Sequence, residues 1–147
     1  MRTVSNTIFD IGYGNRTPYE LRKVLMDAGI EFVMDVRRLG SRARISPYFA
    51  GINMQRTVEP MVYKHAHAFG NWFQNLDTYA AKMKQPDMEA AIEAAAWLSN
   101  NSIMCFLCCE LRAYKDGKVN CHRIYVAEAV AAKLREMTGA ECKIVHL

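Results

Sequence analysis

At 147 residues, 51% hydrophobic and 23% charged, the chain has the composition of one globular domain, residues 1–147, rather than of a disordered or fibrous protein. The net charge of +4 is mild, and no run reaches the roughly 18 apolar residues of a spanning helix, so a membrane partner is excluded. Met1 to Asn6 is too short and polar for a secretory signal, and five cysteines are an odd number, so the expectation is a cytoplasmic protein with reduced thiols.

The predicted elements alternate. Thr7-Ile8-Phe9-Asp10-Ile11, closed by Gly12, reads as a first strand. Thr17-Pro18 supplies a cap and a first-turn proline, Leu21, Val24, Leu25 and Ala28 give a helical stripe, and Gly29 ends it. Ile30 to Val36 is a mostly apolar second strand, suited to a buried parallel sheet, and a basic loop follows it. A short helix is expected over Ile52 to Glu59, a strand over Met61 to His65, and a loop from His65 to Asn71. Asp77 to Met83 and Asp87 to Ser99 read as helices, Asn100-Asn101 as a turn, and Ile103 to Cys108 as the most buried strand. Asp116-Gly117 punctuates a loop, His122 to Met137 is a long helix ending at Gly139, and Lys143 to Leu147 is a last strand. About five strands alternating with helices give an α/β fold, with helices flanking a mainly parallel sheet.

In such a sheet ligands bind outside the carboxyl ends of the strands. Gly12-Tyr13-Gly14-Asn15-Arg16 leaves one such end, and its glycines would let the backbone approach a ligand, with Tyr13, Asn15 and Arg16 facing it. A tight strand–helix turn is the plainer reading, and the full dinucleotide-binding glycine spacing is absent. Asp35, in an apolar strand, needs a partner, and Arg37 or Arg16 would serve. That pair would either order the loop or orient a water or a sugar hydroxyl. Five arginines lie between Arg37 and Arg56 with no acid among them, and Tyr48 and Phe49 fall in the same window. This pattern suits either a phosphate grip, with Arg37, Arg42 and Arg44 as donors and Tyr48 as a stacking surface, or a solvated positive loop.

The sharpest constellation is Cys108-Cys109-Glu110 with Cys121-His122-Arg123. Glu110 would act as general acid or base, or hold Arg123. Cys121 near a helix N-terminus would be an activated nucleophile or simply pack, His122 would face the reacting group, and Arg123 in a first helical turn calls for an anionic partner. A cysteine phosphatase would separate its thiol and arginine by a longer loop. Zinc on Cys108, Cys109, Cys121 and His122 is disfavoured because adjacent strand residues face opposite ways and the C-x-x-C spacing is missing. No metal or other cofactor is therefore expected, and Cys105 and Cys108 read as small buried hydrophobes. His65 and His67 would line the pocket or satisfy the core. Trp72 and Phe73 would form a stacking wall or a lid over the core.

On these residues the chain resembles the DUF 488 family, small domains of unknown function common in bacteria and their phages. The matching stretches are Ile11 to Arg16, Ala28-Gly29-Ile30, Asp35-Val36-Arg37, Ser41-Arg42, Pro47-Tyr48-Phe49, Tyr63, Phe69-Gly70, Tyr79, Met83, Cys108-Cys109-Glu110, Cys121-His122-Arg123 and Val145-His146-Leu147. Two departures stand out: Leu111 to Asn120 lengthens a usually short loop, and Cys105 stands where alanine or valine is common. The resemblance implies a small Rossmann-like domain with a polar site and a link to nucleic acid or nucleotide metabolism.

The leading expectation is an enzyme acting on a phosphate-bearing substrate, modified or damaged nucleic acid or a nucleotide, with Asp35 or Glu110 activating water against an N-glycosidic bond. Its rivals are a non-catalytic nucleotide or nucleic-acid binding module and a thiol-based redox or zinc sensor using Cys109 and Cys121. Nine methionines and an alanine-rich helix suit a core or a homodimer face, so a monomer and a homodimer are both compatible.

Overall fold

The computed structural model describes residues 6–38, 46–73 and 75–147. Strand β1 (Thr7–Gly12) leads through helix α1 (Pro18–Asp27) to β2 (Phe32–Asp35), and α2 (Gly51–Thr57) leads to β3 (Val62–His65). Helices α3 (Leu76–Lys82) and α4 (Glu89–Asn101) precede β4 (Met104–Cys108). A short ribbon, β5 (Tyr114–Lys115) and β6 (Lys118–Val119), is followed by α5 (Arg123–Thr138) and β7 (Lys143–His146). The main sheet has the order β3-β2-β4-β1-β7, and every pairing in it is parallel.

This order explains the layering. The chain steps one way across the sheet from β1 to β3 and back the other way from β3 to β7. Right-handed crossovers therefore put α1 and α2 on one face and α4 and α5 on the other. The core divides accordingly. Leu21, Leu25, Met54 and Val58 pack with Val33, Cys105 and Leu107 on the first face. Val126, Val130 and Leu134 pack with Met104, Phe106 and Cys108 on the second. All five residues of β4 are buried, as the central strand of a Rossmann-like three-layer sandwich requires. The connections from β2 and β4 run apart, which opens a crevice at their carboxyl ends.

Local chemistry sets the boundaries. The Thr17 side chain accepts from the Glu20 amide while Glu20 reaches back to the Thr17 amide, closing a capping box at α1. Gly139, at φ 70°, terminates α5 in the left-handed conformation. Two expectations change. Asn100 and Asn101 do not form a turn; they continue α4, whose last turn gains a bond from the Asn101 side chain to the Trp97 carbonyl. The loop around Asp116-Gly117 is a hairpin, with Asp116 at φ 52° and Gly117 at φ 75°, the left-handed pair that a two-residue turn needs. The Leu111–Asn120 segment is thus ordered around this ribbon. No helix among the described residues is long and apolar enough to cross a membrane.

The two glycines at and just after the end of β1, Gly12 and Gly14, also acquire a different role. A Cβ on Gly12 would lie 1.7 Å from the Glu110 carbonyl oxygen, and one on Gly14 2.8 Å from the Cys109 carbonyl oxygen. The Tyr13 and Gly14 amides donate to the Cys108 and Cys109 carbonyls. The close approach predicted for a ligand is therefore made to the chain's own backbone where β4 ends. Gly12→Ala is expected to lower unfolding free energy by at least the roughly 1–3 kcal/mol of an overpacked site, read as a shifted denaturant midpoint.

Candidate functional site

Four sets of side chains meet around the carboxyl ends of β1, β2 and β4. The first is centred on Asp35, which is wholly buried. Its Oδ1 accepts from the Arg37 amide at 3.0 Å and from Arg37 Nε at 2.9 Å. Its Oδ2 accepts from Arg37 Nη2 and from the Tyr63 hydroxyl, each at 2.6 Å. Arg37 Nη1 donates to the Phe49 carbonyl at 2.6 Å and to the Tyr13 hydroxyl at 3.1 Å. The Tyr13 ring stacks on Phe49 with centroids 4.3 Å apart. Burial opposes the charge on Arg37, but its bonds to Asp35 hold its pKa above the ordinary value. Burial and the Asp35 carboxylate push Tyr63 well up. With both oxygens engaged, Asp35 ties Arg37, and through it the Phe49 carbonyl, to the end of β2; of the two roles open to it, the structural one matches this geometry. Its partner is Arg37; Arg16 instead donates to the Gly12 carbonyl at 2.9 Å and steadies the turn after β1. Asn15 is exposed at φ 58°, a turn conformation that asparagine tolerates.

The second set is centred on Arg123, whose side chain is wholly buried. Its Nε donates to Asp10 Oδ1 at 2.8 Å, its Nη1 to the Glu110 carbonyl at 2.5 Å. His146 Nδ1 lies 2.5 Å from the other Asp10 oxygen, and Tyr114 of the ribbon sits edge-on to the His146 ring. The anionic partner required by Arg123 is therefore Asp10, and Glu110 holds Arg123 by its backbone and not by its carboxylate. That carboxylate is exposed, with no hydrogen-bond or ion-pair partner among the described residues.

The third set lies between them. Cys108 closes β4, Cys121 and His122 precede α5, and all three are buried. His122 Nε2 is 2.6 Å from the Val36 carbonyl; a carbonyl only accepts, so Nε2 carries the proton. Nδ1 then faces Cys108 Sγ at 3.9 Å and Cys121 Sγ at 4.0 Å. A hydrogen bond from the Cys108 thiol, against burial and with help from His122 and Arg123, draws Cys121 down to about 4. Cys108 rises in turn, being the donor. Cys109 is also drawn down, to about 7, by Cys108. Burial lowers His122, but its bond to Cys121 and the neighbouring sulfur charge raise it above the ordinary imidazole value. Cys105 is a buried hydrophobe, as expected; Cys108 is buried too but belongs to this polar cluster.

The fourth is a groove of about 500 Å³ on the α1–α2 face, lined by Tyr19, Arg22, Tyr48, Asn53 and Arg56 among others. Arg22 and Arg56 are exposed and have no ion pair among the described residues. Tyr48, the stacking surface expected beside the basic loop, lines this groove. Arg42 and Arg44 lie outside the described residues. His65 donates from Nε2 to the Arg37 carbonyl at 2.7 Å, and His67 packs on Trp72 with centroids 5.1 Å apart. Trp72 and Phe73 are exposed, so they do not lid the core.

Sequence reasoning missed Asp10 and His146, although Asp10 interrupts an apolar strand in the same way as Asp35. It also missed Tyr63 as a carboxylate partner, and Tyr19 and Arg22 as groove residues, which only the packing of α1 against α2 reveals. The chain matches no protein-family model, no curated protein and no solved structure.

Asp10→Leu, which strands the buried Arg123 charge, is expected to cost about 3–5 kcal/mol in urea unfolding. The double variant Asp10→Leu/Arg123→Met should lose less than the sum of the singles by at least about 1 kcal/mol. Of the cysteines, Cys109 alone is exposed, so a native thiol titration should show one fast equivalent and release the remainder only on unfolding.

Proposed function

We propose that this chain binds a phosphate-bearing ligand of the nucleotide or nucleic-acid class in the groove between α1 and α2. The observation that carries the reading is the set of two exposed arginines, Arg22 and Arg56, without ion pairs among the described residues, beside the exposed rings of Tyr19 and Tyr48. Guanidinium groups left free of carboxylates retain their donors for phosphate oxygens, and exposed tyrosine rings offer faces for bases. The basic segment that follows β2 and the resemblance to the DUF 488 family point to the same ligand class, in a cytoplasmic setting.

A hydrolytic extension, in the manner of a DNA glycosylase, is favoured by one further observation. The exposed Glu110 carboxylate, at the end of β4 and beside the Gly12–Gly14 turn, is free of partners among the described residues. It has the lone pairs that Asp35 has committed to Arg37 and Tyr63, and in this reading it activates water against an N-glycosidic bond.

Fluorescence anisotropy with single-stranded DNA, duplex DNA, RNA and free nucleotides across a salt series tests the binding. Arg22→Ala and Arg56→Ala should each weaken it by about tenfold, the size of one charge-assisted hydrogen bond. Tyr48→Ala should weaken it by at least about fivefold through lost stacking. Binding unchanged in all three variants would remove the groove from the reading. For the hydrolytic extension, Glu110→Gln should abolish base release from modified-base substrates while leaving binding intact.

A further inference from the structure

We propose that Cys108, Cys121 and His122 form a binding site for one zinc-class transition-metal ion, held by two sulfurs and the His122 Nδ1, with a fourth position open to water or a ligand. The three donor atoms lie within 4.8 Å of one another, and they come from two segments that meet only in the folded chain. A tetrahedral ion with bonds of about 2.3 Å to sulfur and about 2.0 Å to nitrogen places S and N about 3.5 Å apart. The observed separations of 3.9 and 4.0 Å need shifts of only about half an ångström to reach that geometry.

The imidazole is set for ligation. Its Nε2–H is fixed on the Val36 carbonyl, so the Nδ1 lone pair is aimed between the sulfurs; ligating histidines commonly have such a second hydrogen bond. Tyr79 sits edge-on to the ring at 4.9 Å and is itself tied by its hydroxyl to the Phe69 carbonyl at 2.7 Å, which limits rotation of the imidazole. The other two buried cysteines differ. The Cys105 and Cys142 thiols each hydrogen-bond the carbonyl of the next residue, at 3.8 Å, and neither belongs to a group of three converging ligand atoms among the described residues.

Cys109, one of the four ligands considered for zinc from the sequence, is exposed in the fold and lies past the last residue of β4, and the donor atoms of the other three converge. Two thiolates and an imidazole are a borderline-soft set that suits Zn²⁺ over Mg²⁺ or Ca²⁺. The site is independent of the groove between α1 and α2, so it stands or falls apart from nucleotide binding.

The test is titration of the reduced, metal-free full chain with Co²⁺ as a spectroscopic probe, followed by Zn²⁺. One equivalent of Co²⁺ is expected to produce a sulfur-to-cobalt charge-transfer band and tetrahedral visible bands, and one equivalent of Zn²⁺ to bleach both. Cys108→Ser and Cys121→Ser should lose the charge-transfer intensity in part or whole, and His122→Ala should weaken Zn²⁺ binding by at least about tenfold. Cys105→Ser, Cys109→Ser and Cys142→Ser should retain both. Because His122→Ala removes a buried ring, the wild-type chain supplies a second readout: Zn²⁺ should raise its melting temperature, and Mg²⁺ should not. Absence of the charge-transfer band in the wild type, its survival at full intensity in Cys121→Ser, or its loss only in Cys109→Ser would each overturn the proposal.

Discussion

The buried ion pair between Asp10 and Arg123 is the constraint on which the rest of this site depends. Both side chains are removed from water, a transfer that costs several kcal/mol per ion unless every lone pair and proton is satisfied. Here every buried side-chain nitrogen and oxygen of the pair has a partner. Asp10 takes Arg123 on one oxygen and His146 on the other, and Arg123 donates from Nη1 and Nη2 to the Glu110 and Leu111 carbonyls. One guanidinium thus joins β1, the exit from β4 and the first turn of α5, and the carboxylate adds β7. The residues that flank it in sequence, Cys121 and His122, are positioned by the same anchor.

Asp35 and Arg37 repeat the arrangement on the other side of β4. Each of the two strands that pair with β4 carries a buried aspartate, and each aspartate holds an arginine that donates to a backbone carbonyl beyond it. Between these two rigid clamps the end of β4 has little freedom, which is why a hydrogen bond as short as that from His122 to the Val36 carbonyl can span the crevice. The clamps set geometry; the groups left for ligands are Glu110, the sulfur–imidazole cluster and the arginines of the groove.

Much of this was legible in the sequence because it is local. The alternation of strands and helices, the Thr17 cap and the Gly29 and Gly139 stops follow from residue chemistry within a few positions. Asp35 announced its need for a cation by sitting in an apolar run, and Arg37 was close enough to name. Asp10 gave the same sign, but its partner lies 113 residues away and was visible only from the arginine's side. The glycines after β1 were correctly read as a close approach, yet sequence does not distinguish a ligand from the chain's own backbone. The cysteines illustrate the converse error. Alternation was carried one residue past the end of β4, and so Cys109 was weighed as a fourth ligand, whereas the three donor atoms that converge are those of Cys108, Cys121 and His122. The hairpin at Asp116-Gly117 had the strongest short-range turn signal in the chain, but strands of two residues offer no periodicity to go with it.

The strand order has a consequence for how the chain reaches this state. β1 and β2 never pair with each other; each pairs with β4, which arrives about seventy residues after β2. Before β4, the only strand pairing among the described residues is that between β2 and β3. Both aspartates then lie on strands without their central neighbour, and the crevice does not exist. Pairing of β4 therefore closes long loops, a topology that slows the conformational search, and the same pairing brings the two aspartate-bearing strands to either side of one neighbour.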